Sequence, residues 1–363
     1  MRVLVFGAGA VGQWMGALLA QGGAVTTLLV RPRLVEALRL GGIRLGPAER
    51  SIPVRVVASL DELDGERRAC DWLILAVKTF DVEAALVELL AAGLEPGRVL
   101  CIQNGVGTEE VVAQAFGAER TYVGSVTRAV GVDGPGQLRP ATRGGLAVAP
   151  FLPDLPPEDL EALLELLDLL GAQGVPTVIE PDAQALKWSK LLLNMVANAS
   201  SAILDMPPSR VLESRALYSM EIRALREALR VMARKGLSVL DLPGYPVRWL
   251  SRAARALPTA LSFPVLGPRM AAGRGEKSPS LLLDLRSGRA RTEVGWINGA
   301  VAAAAAELAV PAPTNRALAR ILEALASGQL PASAFRRNPE ALLEALAREA
   351  GGTGKGAVES PPP

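Results

Sequence analysis

The sequence predicts a two-part α/β chain: a mostly parallel sheet with helices on both faces, followed by an all-helical part. Three observations carry that expectation. Residues 3–12 run from an apolar strand straight into a glycine turn and a helix. Short apolar runs then alternate with helical periodicity as far as residue 179. Beyond Glu180-Pro181-Asp182 only helical periodicity remains. The expected organisation is therefore a nucleotide-type domain over 1–180, a helical domain over 181–349, and a Gly/Ser/Pro tail over 350–363 whose composition predicts disorder.

The elements follow in order. Residues 25–30 read as a second strand, 34–40 as a helix, and 51–57 as an edge strand. Residues 71–77 form a continuous apolar run of the kind buried inside a parallel sheet, and 81–91 a helix. A strand at 98–102, a helix at 108–116 and strands at 121–127, 136–139 and 144–149 come next. A helix at 158–170 and a strand at 175–179 complete the unit. In the second half, 183–204, 209–234, 289–309 and 314–326 have the clearest 3.6-residue period. The Pro-, Gly- and Arg-rich stretch 243–279 reads as a long connection with short helices in it.

Composition narrows the function. A formal net charge of +2 with scattered charges gives no nucleic-acid footprint. No apolar run is long enough to span a bilayer and the N-terminus carries no signal-peptide pattern, so the expectation is a cytoplasmic protein with no membrane partner. Cys70 and Cys101 make no CxxC and are expected to be buried beside strands. There is no histidine. That excludes Ser-His-Asp hydrolysis, HExxH zinc chemistry and any histidine proton donor, and no metal site is expected. Acid–base work then falls to Lys, Tyr, Asp, Glu or Cys. Among 33 Arg the chain keeps only 6 Lys, and Lys78, Lys187 and Lys190 stand out, because an ammonium can give up a proton and a guanidinium cannot.

The turn Gly7-Ala8-Gly9-Ala10-Val11-Gly12 has the spacing of a Rossmann-type dinucleotide fingerprint. Gly7 allows the tight turn, Gly9 lets backbone approach a pyrophosphate, and Gly12 lets the helix pack close to the strand. The phosphates then face the free N–H groups and positive dipole end of that helix. An NAD site would place an acidic residue at the end of the second strand. Here that strand ends Val30-Arg31-Pro32-Arg33, and the first acidic residue is Glu36 in the following helix. An arginine suits a 2′-phosphate, so NADPH is the expected cofactor, with Arg31 ahead of Arg33. Lys78 follows the 71–77 strand, at the carboxyl end where ligands collect, and adds charge near the nucleotide.

The segment Lys187-Trp-Ser-Lys190-Leu-Leu-Leu-Asn194-Met-Val-Ala-Asn198 is the second informative stretch. On one helix, Lys190, Asn194 and Asn198 at i, i+4 and i+8 line a single face over about 12 Å. A narrow polar ladder among apolar residues suggests a ligand cleft; the alternative is interhelical hydrogen bonding plus a surface lysine. The ladder suits reduction of a ketone. Hydride addition leaves a developing alkoxide, which an ammonium both stabilises and protonates. Asparagines bind hydroxyl and carboxylate oxygens without adding charge.

With Ala76-Val-Lys78, Gln103-Asn104-Gly-Val-Gly107, Trp188-Ser-Lys190-Leu, and Thr292-Glu293 leading to Ile297-Asn298-Gly299, these motifs make residues 1 to about 325 resemble the ketopantoate reductases (2-dehydropantoate 2-reductases). The resemblance implies a Rossmann-type domain and a helical domain with the site between them. It implies NADPH-dependent reduction of 2-dehydropantoate to (R)-pantoate, on the pantothenate branch towards coenzyme A. By position, Gly7 to Gly12 and Arg31 would bind the nucleotide with Lys78 assisting, and Asn104 would lie where nicotinamide meets substrate. Lys190 would be the proton donor, Asn194 and Asn198 would hold the substrate's hydroxyl and carboxylate end, Ser280 would bind substrate, and Glu293 would help organise the cofactor and the lysine.

The chain departs from the family's pattern on the substrate side. Pro207-Pro208 stands where a further asparagine is usual, Ser280 to Glu293 is one residue longer, and the 240–279 connection is extended. The rival readings are a reductase of another branched 2-oxo acid and a non-catalytic NADPH-binding regulator. The partner expected is a small 2-oxo acid, and oligomeric state stays open, with a homodimer through the helical domain as the candidate.

Overall fold

The computed structural model describes residues 1–46, 50–63, 69–274 and 278–351, so the expected tail lies, from 352 on, outside the described residues. The chain divides into two compact units: Met1–Lys190 with Val239–Val247, and Leu191–Ser238 with Arg248–Pro363.

The first unit is built on β1 (Arg2–Phe6), β2 (Val25–Leu29), β3 (Arg55–Val57), β4 (Trp72–Leu75), β5 (Arg98–Cys101) and β6 (Thr121–Val126). These strands lie in the order β3-β2-β1-β4-β5-β6, all parallel. That is the doubly wound order, with its switch point between β1 and β4. A hairpin of β7 (Val130–Gly134) and β8 (Gln137–Pro140) stands apart from the sheet. The chain then returns as β9 (Leu146–Pro150), antiparallel to β6, and β10 (Thr177–Ile179), parallel to β9. The expected edge strand at 51–57 shortens to Arg55–Val57, with Ile52 making only an isolated bridge to Ile43. The strand at Val130–Gly134 is absent from the sequence reading, because its five residues hold two glycines and an aspartate, which read as a turn.

The helices α1 (Ala10–Gln21), α2 (Pro32–Gly41), α3 (Val82–Ala91), α4 (Glu109–Phe116) and α5 (Pro157–Ala172) cover this sheet. Alternate residues of each strand feed opposite layers. Val3, Val5, Trp72 and Ile74 pack with Trp14 and Leu18 of α1 and Leu163 and Leu166 of α5. Leu4, Phe6, Leu73 and Leu75 pack with Leu86 and Leu89 of α3 and Val112 of α4. Burial on both faces explains the continuous apolar runs in the sequence. Both cysteines are buried and free, and burial pushes the Cys70 thiol up to about 12.

After β10 come α6 (Ala183–Met195), α7 (Ala199–Leu204), α8 (Pro208–Glu213) and α9 (Arg215–Arg234). Then follow α10 (Val247–Ala256), α11 (Thr259–Arg274), α12 (Ser280–Arg286), α13 (Asn298–Glu307), α14 (Pro313–Ala326) and α15 (Pro339–Gly351). In α9, Leu217, Met220, Ile222, Leu225, Leu229 and Met232 are buried in the second unit.

Three periodic segments prove to be interrupted. The 209–234 segment divides at Ser214, whose hydroxyl accepts from the Leu217 amide and caps α9. The 289–309 segment contains one 3₁₀ turn, Glu293–Trp296, and the shorter helix α13. The 183–204 segment divides at 196–198, as described below. Conversely, the expected connection at 243–279 is largely helical. Pro264 and Pro268 lie inside α11, yet buried Leu266 and Met270, the Tyr218–Phe263 ring contact at 5.2 Å and the Tyr218–Ser262 hydrogen bond at 2.9 Å hold it. Packing outweighs propensity there. Among the described residues no helix is long and apolar enough to cross a membrane, and no cluster of side chains could hold a metal ion.

Candidate active site

At the switch point the ends of β1, β2, β4 and β5 bring Gly7 to Gly12, Arg31, Lys78 and Asn104 to the carboxyl end of the sheet, whereas Glu293 belongs to the second unit. Phe6 is in register with Leu75, and Leu75 with Cys101, so Gly7, Ala76 and Ile102 leave the sheet side by side. Gly7 has φ +102, and a Cβ there would lie 2.6 Å from the Val77 nitrogen. Only glycine fits such a position. At Gly12 a Cβ would collide with the Gly7 carbonyl oxygen and reach within 3.1 Å of the Ala76 Cβ, so α1 packs directly on the turn. Gly9 differs. It has ordinary φ −72 and ψ −171 as the N-cap of α1, and a Cβ there would meet nothing within 4 Å.

Gly7 and Gly12 are thus required by the protein's own packing, whereas no packing reason requires Gly9. Open space at that position, in front of the first-turn amides of a twelve-residue helix, fits a pyrophosphate. Ala8 completes the turn, Ala10 and Val11 open α1, and Gln13 ties the two by donating from Nε2 to the Ala8 carbonyl at 2.8 Å.

Arg31 and Arg33 are exposed where β2 gives way to α2, and no acidic residue of the second strand's end stands with them. Lys78 caps the 3₁₀ turn Thr79–Asp81 after β4 and is partly buried. Asn104 lies in the loop after β5. Its carbonyl accepts from the Thr79 hydroxyl at 2.9 Å, and the preceding Gln103 donates from Nε2 to the Leu75 carbonyl at 2.7 Å.

The same loop is held from α6. Lys187, only 3 % exposed, donates from Nζ to the Gln103 carbonyl at 2.6 Å and pairs with Glu109 Oε1 at 2.5 Å. Glu109 in turn accepts from the Gly107 amide at 3.1 Å through Oε2. Sequence reasoning singled out Lys187 as a retained lysine but supplied no partner for it; Glu109 and Thr79 it missed. A carboxylate directly after Gln103-Asn104-Gly-Val-Gly107-Thr was the available signal.

Lys190 lies one turn further along α6 and is partly buried, and Asn194 follows at i+4 on the same helix. Asn198 does not continue the ladder. The helix stops at Met195, Ala197 adopts φ +48, and Asn198 instead precedes α7 as its N-cap. The cause is Glu221, buried on the apolar side of α9: it accepts from the Ala197 amide at 2.7 Å and from the Ser200 hydroxyl at 2.5 Å. The break turns Asn198 towards Ser280. Its Nδ2 donates to the Ser280 hydroxyl at 3.5 Å, and its Oδ1 accepts from the Leu281 amide at 3.3 Å, at the start of α12. Two residues singled out as substrate contacts are therefore neighbours, although the helix thought to carry one of them is broken.

Glu293 is 2 % exposed and opens the 3₁₀ turn, with Thr292 as its cap. Asn298, in the same motif, is interior. It donates to Asn315 at 2.9 Å, and Asn315 donates to Glu227 at 2.8 Å. The Glu227 carboxylate also accepts from the Thr314 and Asn315 amides, so it caps α14.

A glycine turn at the switch point, a basic end to β2 and a lysine on the helix after the sheet make an arrangement for nicotinamide-dependent carbonyl chemistry. Comparison with known proteins agrees. Residues 3–152 match the family model for the ketopantoate reductase PanE/ApbA, and residues 182–326 match the model for its C-terminal part. The chain belongs to the ketopantoate reductase family. This is a family of NAD(P)-dependent oxidoreductases. Similar proteins include the 2-dehydropantoate 2-reductase of Pyrococcus abyssi, 26% identical over 87% of this chain and 94% of that one. That of Halobacterium salinarum is 26% identical over 89% of this chain and 98% of its own length. Among solved structures, the PanE/ApbA family ketopantoate reductase of Ralstonia eutropha superposes with a TM-score of 0.73 at 26% identity, covering 91% of this chain and 99% of that one. A D-mandelate dehydrogenase solved with NADH shares the fold, with a TM-score of 0.73 at 22% identity over 90% of this chain and 99% of that one.

Proposed function

We propose that the protein is an NADPH-dependent 2-dehydropantoate 2-reductase that forms (R)-pantoate in the cytoplasm. The observation that carries the reading is the match of both family models along the chain, joined to a glycine turn whose central residue has no packing reason to be glycine. Gly7 to Gly12 would hold the pyrophosphate on the α1 amides, and Arg31 the 2′-phosphate, with Lys78, Asn104 and Glu293 completing the cofactor's surroundings. The choice of NADPH over NADH rests on the arginine that stands where an acidic residue would bind ribose hydroxyls.

When bound, the nicotinamide supplies hydride to C2 of the 2-oxo acid. Lys190 would stabilise the charge that develops on the ketone oxygen and transfer its proton there, leaving a neutral amine that regains a proton from solvent. Asn194, Asn198 and Ser280 would orient the substrate's hydroxyl and carboxylate.

The test is loss of NADPH absorbance with purified protein and 2-dehydropantoate, run beside NADH and a panel of simple 2-oxo acids. Turnover confined to NADPH and 2-dehydropantoate is expected. Preference for another 2-oxo acid would discard pantoate and keep the reductase. Lys190→Ala is expected to lower kcat by about 10²–10⁴, the usual contribution of a general acid, with NADPH binding nearly unchanged. Comparable turnover in that variant would remove Lys190 from the mechanism.

A further inference from the structure

We propose that Lys187 and Glu109 are positioning residues, a buried clamp that fixes the Asn104 loop in register with the helix carrying Lys190. The inference rests on the reductase reading for its kinetic part. Its structural part stands within the first unit alone.

The loop after β5 needs fixing. Gly105 has φ +83 and Gly107 φ +104, so its backbone occupies conformations that glycine leaves freely. Its restraints include the following bonds. Gln103 is anchored to the Leu75 carbonyl, and the Asn104 carbonyl is held by Thr79. The Gln103 carbonyl is held by Lys187 and the Gly107 amide by Glu109. The first two anchors come from β4 and the turn after it. Through Lys187 the last two reach α6, three residues before Lys190, and residues at i and i+3 share one side of a helix. The loop and the proposed proton donor thereby share one rigid segment.

Stability is a poor explanation for the pair. Taking an ammonium and a carboxylate out of water is costly, and apolar residues of the same volume often stabilise as well or better. Capping of α4 by its own acidic first turn would require Glu109 but no lysine. What the pair supplies beyond packing is direction. The ammonium's donors go to a carbonyl and a carboxylate that bracket Asn104 in sequence, one residue before it and five after. A guanidinium in this place would present a wide planar fork, and the chain, otherwise rich in arginine, has lysine here.

The experiment compares the wild type with Lys187→Met and with the double variant Lys187→Met/Glu109→Gln, which leaves no lone buried charge and guards against misfolding. Hydrogen exchange on the full-length, cofactor-free protein is read first. The amides of residues 104–108 are expected to exchange at least about tenfold faster in the variants, with the β1 and β4 amides unchanged. Kinetics are read second. We expect kcat to fall by about tenfold or more, and the deuterium isotope effect from NADPH labelled at the transferred hydrogen to rise, with the NADPH Kd within about threefold of wild type. Lys187→Arg, which restores charge, is expected to recover part of kcat.

Unchanged exchange in the loop would overturn the clamp. Faster exchange with wild-type kcat and isotope effect would overturn the positioning role. If the wild type reduces no 2-oxo acid, the functional reading fails, and the exchange result still decides for or against the clamp.

Discussion

Exchanging glycine for alanine at Gly9 and at Gly12 should separate what the protein needs from what the cofactor needs. At Gly12 the new methyl would collide with the Gly7 carbonyl oxygen and crowd the Ala76 Cβ at 3.1 Å. Relief requires β1 and α1 to move apart in a close-packed layer, and overpacking of this kind costs about 1–3 kcal/mol. At Gly9 the methyl meets nothing within 4 Å, and φ −72 with ψ −171 is ordinary for alanine. A weaker N-cap and a less flexible unfolded chain act there in opposite senses, each by about 0.5–1 kcal/mol, so stability should hardly change. The open space is where backbone would meet phosphate. Losing one charged hydrogen bond there costs about 1.5–3 kcal/mol, or roughly ten- to 150-fold in affinity. Urea unfolding without cofactor and titration of tryptophan fluorescence with NADPH read the two effects. Gly9→Ala should unfold like the wild type and bind NADPH at least about tenfold more weakly, whereas Gly12→Ala should lose stability before any cofactor is added. Wild-type NADPH affinity in Gly9→Ala would refute the assignment of the turn.

Arg31→Ala should weaken NADPH far more than NADH; equal losses in the two titrations would sink the 2′-phosphate assignment. Glu221→Gln should destabilise the protein by about 2–4 kcal/mol in urea, because a buried carboxylate that receives an amide and a hydroxyl is replaced by a group with one acceptor. A loss below about 0.5 kcal/mol would mean that the break at 196–198 does not depend on it. Hydrogen bonding from Arg286, with the charges of Arg286 and Arg336, lowers the Asp205 carboxyl from its usual value. A lowered folded value contributes stability above the unfolded pKa, near 3.9, and loses it as pH falls through the folded one. The stability gap between wild type and Asp205→Asn should therefore be full at pH 7 and close below about pH 4. Asparagine tolerates the left-handed backbone at this position, φ +50, so an unchanged gap in acid would refute the ion-pair account.

What could be read from the sequence and what could not divide along the range of the forces involved. The sheet was legible because a parallel strand buried on both faces must be apolar throughout, as Trp72–Leu75 is, and the glycine turn because its constraints lie within six residues. The interruption of the 183–204 helix was not. Ala197, Asn198 and Ala199 carry no breaking residue such as Pro or Gly, and periodicity counts only local neighbours. The agent is Glu221, 24 residues away on α9, which takes the Ala197 amide out of the helical ladder.

The same limit explains Lys187. Its retention in an arginine-rich chain was visible, but Glu109 is 78 positions distant, and only the sheet brings β5's loop and α6 together. A carboxylate inside an otherwise apolar helix face, as at Glu221 or Glu227, marks a tertiary contact in the sequence, since a buried charge must have a partner. Here those partners include backbone amides at helix ends, Ala197 for the one and Thr314 and Asn315 for the other, beside the Ser200 hydroxyl and the Asn315 side-chain amide. The interior carboxylates of α9 therefore decide where neighbouring helices start. Through Asn198 and Ser280, that choice of starting points reaches the residues proposed to hold the substrate.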